Sequence, residues 1–365
     1  MALSNRHACV STALIVAILG LCTAASAVEF AGGDGTMGNP FQITNAKQLL
    51  DIGLNPQLLN KCFVLNNDID FDSYYGSEGY IRQSVIAPYL FAPAFEGWLD
   101  GRGHVVRHLR ITAEYGKIFG LFGQVGAKGT ILSLGVEDST IDGAADGVGL
   151  LAGSSSGTIT GCTSTSPVSG SSNVGGLVGS NQGGWLYRCG AITDVDTIDS
   201  AGALVAESFE GTITACFARG KVKGINIGGF LSSSRDDVID ACYFQGSISG
   251  RNMAGFIWQA YGQSRLHDCY CATEILGVPY SCAFARTLFS SVEASGCFWD
   301  NTVFPDSRNM QSLPTSLKAS ITGLDTESLQ NGQKLRDAGW DFEATWLACA
   351  GDYPRLWWEE AEDGR

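Results

Sequence analysis

The stretch VGGLVGSNQGGWLYRCG (residues 174–190) decides the fold. Taken alone it fits a phosphate-binding loop, a redox cysteine or one unit of a repeat. Its neighbours choose among these. Cysteines fall at 162, 189, 216, 242, 269 and 297, with gaps of 27, 27, 26, 27 and 28. A glycine- or small-residue segment precedes each at a similar distance: GLLAG (149–153), GGLVG (175–179), GALVA (202–206), GGFLS (228–232), AGFIW (254–258) and the degraded AFAR (283–286). Between segment and cysteine stand GTITGC, WLYRC, GTITAC, VIDAC and RLHDC, and a cysteine-free copy, GLFGQVGAKGTILSLGV, occupies 120–136. A unit of this length cannot bury its own apolar side, so its neighbours must stack on it.

Each unit reads as short strands joined by turns, without sustained 3.6-residue spacing. Stacking such units predicts an all-β chain built as a right-handed parallel β-helix of about seven coils, roughly 30 to 35 Å long. Propeller blades need longer repeats, and the leucine-rich signature is missing. One inward row is expected at Leu151, Leu177, Leu204, Phe230 and Phe256, and another at Ile159, Leu186, Ile213, Ile239 and Leu266. The core ladder Cys162, Cys189, Cys216, Cys242, Cys269 and Cys297 follows each isoleucine or leucine by three residues. Strand side chains alternate, so a corner must separate the two if both point inward.

The flanks differ. Residues 1–27 read as a signal peptide: Arg6, an apolar core, and Ala25-Ser26-Ala27 before the cleavage point. The apolar run is too short for a membrane span, and no second one follows, so an exported chain without a span is expected. Residues 28–94 read as an N-terminal cap with helix signals at Asn45/Gln48 and at Asn55-Pro56. The solenoid is expected over 95–304. Residues 305–365 hold a helical pattern at 325–339 and Trp340, Trp346, Trp357 and Trp358. The formal charge of −14 disfavours nucleic acid and anionic membrane surfaces.

GLFG, GGLVG and GTITGC resemble the GLUG repeat of secreted bacterial proteins. FEGWLDGRGHVVRHLRI (95–111) is similar to the opening coil of that family, and the 41–71 segment and the ending AGWDF…DYPRLWWE resemble its flanks. The resemblance spans nearly the whole exported chain and implies a right-handed β-solenoid. It implies little about activity. Some immunoglobulin A metalloproteases carry such repeats, but this chain lacks the H-E-x-x-H zinc motif. The closing glycine of the repeat becomes Ala206, Ser232, Trp258 and Arg286 in later units, so those positions cannot all need a left-handed backbone.

Candidate chemistry is sparse. GDGTMG (33–38) lacks the strand–helix context of a dinucleotide site, and Ser155 in GSSSG sits in an inter-strand turn rather than a nucleophile elbow. The laddered cysteines are expected as buried free thiols, because in-register neighbours point the same way; Cys271 with Cys282 is the pair best placed to depart from this. Asp68, Asp70 and Asp72 share a strand face but fail calcium-loop spacing, and no metal or cofactor is expected. Asp100, Arg102 and His104 form a minor candidate site, more simply read as a turn.

Phe217, Tyr243, Tyr270 and Phe298 follow the later cysteines and should point outward. They form an aromatic stripe that is either a ligand platform or a seat for the Trp-rich tail. Trp185 stands where other units have Thr158, Thr212 or Val238 and has no role in the repeat. The function expected is a non-catalytic structural, adhesive or binding protein of the cell exterior, with an extracellular polysaccharide or a surface protein as partner. The alternative is a carbohydrate-active lyase or hydrolase on the same scaffold.

Overall fold

The computed structural model describes residues 28–75, 79–88, 93–113, 118–143, 145–277, 280–289, 291–305 and 320–359. The expected signal peptide lies outside the described residues. The chain winds as a parallel β-solenoid of about seven turns with three faces. The first face is a ten-stranded sheet whose rungs run from Phe41–Ile43 through Thr158–Thr160, Trp185–Tyr187 and Thr212–Thr214 to Glu293–Ser295. The second is an eighteen-stranded sheet that widens into two continuous twelve-residue strands, Phe217–Gly228 and Tyr243–Ala254. The third has seven strands, from Phe122–Val125 to Ala285–Leu288.

Two inward rows stack in register. Ile159, Leu186, Ile213, Ile239 and Leu266 pair rung to rung on the first face and are buried. Leu151, Leu177, Leu204, Phe230, Phe256 and Phe284 are buried at the edge of the third face. The Phe230 and Phe256 rings stack at 4.8 Å, and Phe256 and Phe284 at 4.9 Å. The isoleucine-to-cysteine spacing resolves into a corner of one residue in the left-handed region: Gly161, Arg188, Ala215, Ala241 and Asp268, at φ between 50° and 61°. That single residue lets Ile159 and Cys162 both face inward.

The glycines of GGLVG are not corners. Neither Gly175 nor Gly179 has a positive φ. A Cβ on Gly175 would lie 1.9 Å from the Val178 carbonyl oxygen, and one on Gly179 2.6 Å from that of Gly153. At Gly175 a carbonyl of the same coil leaves no room for a side chain, and at Gly179 one of the preceding coil does.

None of the ten cysteines among the described residues is in a disulfide, Cys271 and Cys282 included. The six ladder thiols are buried, and each donates to the carbonyl two residues earlier, as Cys242 does to Asp240 at 3.2 Å. Burial raises the Cys242, Cys269 and Cys297 thiols well above the usual range.

Helix α1 (Ala46–Leu54) sits near the N-terminal end and buries Leu49 and Ile52. Asn45 caps it by accepting from the Gln48 amide at 3.1 Å, and the Gln48 side chain reaches back to the Thr44 amide at 2.7 Å. At the other end a strand, Ile321–Leu324, pairs with Cys297–Asp300. The helical pattern at 325–339 is two short helices, α2 (Thr326–Asn331) and α3 (Gln333–Asp337), split at left-handed Gly332.

Candidate functional site

On the second face the register places Val105, Gly135, Thr163, Gly190, Phe217, Tyr243, Tyr270 and Phe298 in one outward row. The row changes character at Phe217: small residues lie on one side and aromatics on the other.

The aromatic half is closed. Phe217, Tyr243, Tyr270 and Phe298 stack outward from the coils, yet all four are buried in a cluster with Trp340, Trp346 and Trp358. Phe217 and Tyr243 stack at 5.5 Å, and Tyr243 and Tyr270 at 5.0 Å. The tail rings lie across them, with Trp346 6.1 Å from Tyr243 and 5.8 Å from Tyr270. The indoles of Trp358 and Trp340 donate to the carbonyls of Ala215 and Gly296, at 3.0 and 2.9 Å. Of the two expectations for the stripe, the structure has the tail seat and not the open platform, because the tryptophans need burial and the stripe supplies it. Arg219 donates to both Glu359 and the Tyr243 hydroxyl, and that hydroxyl donates to Glu359 at 2.8 Å. Burial raises the Glu359 carboxyl.

The small-residue half forms a groove of about 700 Å³ with Gly135, Thr163 and Gly190 on its floor. The Phe217 ring leans over Gly190, where a Cβ would come within 2.5 Å of it. At the far end stand Arg102 and His104. Asp100, Arg102 and His104 do form a turn. Asp100 accepts from the Arg102 amide at 2.8 Å, Arg102 has φ 53°, and the His104 amide donates to Gly101 at 2.9 Å. Asp100 is not among the groove's lining residues. Its place beside His104 is taken by Asp68, 3.1 Å from His104 Nδ1 and 3.5 Å from Arg107.

Asp68, Asp70 and Asp72 are exposed on one side, with Ile69 and Phe71 buried on the other. His108 lies 2.8 Å from Asp70 and 3.4 Å from Asp72, and Arg110 2.7 Å from Asp72. The hydrogen bond lowers Asp70 and raises His108. Asp70, Asp72 and His108 are close enough to share a cation, but arginine and histidine already answer these carboxylates.

Trp185 has no part in the repeat, and its surroundings are set by residues distant in sequence. It is 46% exposed and stacks on Tyr187 at 5.6 Å. The Arg188 guanidinium lies 4.7 Å from the Tyr187 ring and 4.6 Å from that of Trp357, itself 43% exposed. The one available signal was that threonine takes the Trp185 position in both adjacent rungs and valine two rungs on.

No family model matches the chain. It is 31% identical over 140 residues to Halomucin of Haloquadratum walsbyi, a match covering 37% of this chain and 2% of Halomucin. It is 34% identical over 132 residues to a "Putative Gly-rich membrane protein" of Evansella cellulosilytica, covering 36% of this chain and 15% of that one. The chain spans only a small part of the length of these curated relatives. Its structure is similar to that of a "putative immunoglobulin A1 protease" from Bacteroides ovatus, with a TM-score of 0.59 at 19% identity, covering 90% of this chain and 95% of that one. That likeness concerns the fold alone. Among the described residues no helix is long and apolar enough to cross a membrane.

Proposed function

We propose that this chain is a GLUG-type repeat solenoid, exported through residues 1–27, that acts at the cell exterior as a structural or adhesive binding protein rather than as a catalyst. In this reading residues 28–94 cap the rod, 95–304 form it, and 305–365 lie along it. The observation behind it is the sealed aromatic row: four consecutive coils devote their outward rings to holding the tail, which stiffens a rod and leaves its remaining faces as surface. Similarity to a chain named as a membrane protein supports a place at the cell envelope. Asp68 beside His104 and Glu137 along the same groove favour one second reading, a carbohydrate-active enzyme.

One experiment separates the two. The purified protein is applied to a polysaccharide array and scored for retention and for release of new reducing ends. Retention without release is expected; reproducible release overturns the non-catalytic reading.

A further inference from the structure

We infer that the coil bearing Trp185 carries a binding site for a polysaccharide with uronate groups, built from the exposed rings of Trp185 and Trp357, from Arg188 beside them and from Arg102 at the adjoining groove. This rests on the reading of the chain as a binding solenoid and names where it binds and what.

Trp185 and Trp357 are exposed, while Tyr187 is partly buried against the aromatic cluster and supports Trp185 from beneath. Trp185 and Tyr187 are two residues apart on one strand, so both project from the same outer side. The adjacent rungs hold Thr158 and Thr212 at the Trp185 position, and the coils stack there without a ring. Trp357 is held in place by its neighbours: its amide donates to Thr345 at 3.2 Å, and the Trp358 indole is anchored to Ala215. Flat rings on fixed backbone offer contact to a sugar face at little conformational cost.

The charged part selects the ligand. Arg107, Arg110, Arg219 and Arg265 all form ion pairs. Among the described residues Arg102 and Arg188 form none. Arg102 donates to Asn66 at 3.1 Å, and Arg188 is held between two rings with its donors uncommitted to any carboxylate. Arg188 shares the corner column with Gly161 and Ser133, so it lies three rungs from the first-coil turn that carries Arg102, about 14 Å at the usual strand spacing. Beside Arg102 the groove offers the Thr163 hydroxyl and two glycines that keep its floor low, and its carboxylates, Asp68 and Glu137, are both paired with Arg107. Arg102 at the groove and Arg188 beside the exposed rings, neither paired with a carboxylate, match carboxylates spaced along a polymer.

The test measures binding of the full chain to polygalacturonate, alginate and hyaluronate oligomers and to their carboxyl-reduced forms. Trp185→Thr and Arg188→Ala install residues that adjacent coils already use; Arg102→Gln addresses the far end. Binding to at least one uronate oligomer is expected, weaker by about tenfold or more for its reduced form and for each variant, at unchanged melting temperature. The salt dependence should flatten in Arg102→Gln and Arg188→Ala. Equal binding of acidic and reduced forms overturns the uronate assignment. Glycan binding that all three variants retain overturns the site while the binding-protein reading stands. If no glycan binds at all, both fall.

Discussion

Glu359, at the end of the described chain, is bonded to Arg219, 140 residues earlier on the solenoid wall. The pair shares the Tyr243 hydroxyl and closes the tail over the aromatic row. Truncating Glu359 leaves a largely buried guanidinium unanswered, and such a loss costs about 3 kcal/mol. Glu359→Ala is therefore expected to lower the urea midpoint and to raise binding of a hydrophobic dye as Phe217 and Tyr243 come uncovered. A variant with wild-type dye binding and midpoint would show that the tail does not depend on this contact.

Asp268 sets a pH dependence. It occupies a corner, its Oδ1 is buried without a hydrogen-bond donor, the His267 imidazole lies 3.5 Å away, and the Asp240 carboxylate repels it. Burial pushes its carboxyl up to about 6 from an ordinary 3.8. The folded state therefore holds this proton more tightly than the unfolded chain. Its contribution to stability is present at low pH and is lost as pH rises from the unfolded value through the folded one, by at most about 3 kcal/mol. Asp268→Asn should be more stable than the wild type at pH 7, with the difference shrinking toward pH 4. Parallel urea curves for the two proteins at every pH would count against it.

The corner residues carry backbone strain. Ser133 is exposed at φ 46°, and the corner position one rung on is Gly161. Ser133→Gly relieves the left-handed penalty but gives entropy to the unfolded chain, so a net gain of about 0.5 kcal/mol is expected from chemical denaturation. Gly161→Val places a β-branched residue at φ 61° and should lose about 2 kcal/mol.

Thiol chemistry reports on the coils. Cys62 and Cys349 are half-buried, whereas the six ladder thiols, Cys271 and Cys282 are buried. Alkylation of the native protein read by mass spectrometry should modify Cys62 and Cys349 first, and the other eight only on unfolding. Prompt labelling of Cys216 or Cys242 would contradict the inward ladder.

Much of the rod was legible because the solenoid repeats its rules. One periodic cysteine fixes the register of every coil, and the alternation of a strand then assigns in and out; Leu186 and Ile213 needed nothing more. The corner between Ile159 and Cys162 followed from the same alternation, but not its occupants: backbone strain at Arg188 or Asp268 has no mark in a single sequence. The glycines of GGLVG carry no such mark either. A glycine required by a neighbouring coil's carbonyl looks the same as one required by a turn. Contacts across the chain were beyond reach. Asp68 beside His104, Glu359 on Arg219 and Trp357 beside Arg188 join segments with no shared pattern, and only the wound chain brings them together.

The tail crosses the rungs instead of following them. Its tryptophans touch Phe217, Tyr243, Tyr270 and Phe298, which belong to four successive turns. A bare solenoid pulled along its axis peels one turn at a time, each rupture as small as a single rung. Here the first of those turns cannot come away without tearing the clasp that holds the next three, so the C-terminal half resists tension as one block and yields, when it does, in a single large step.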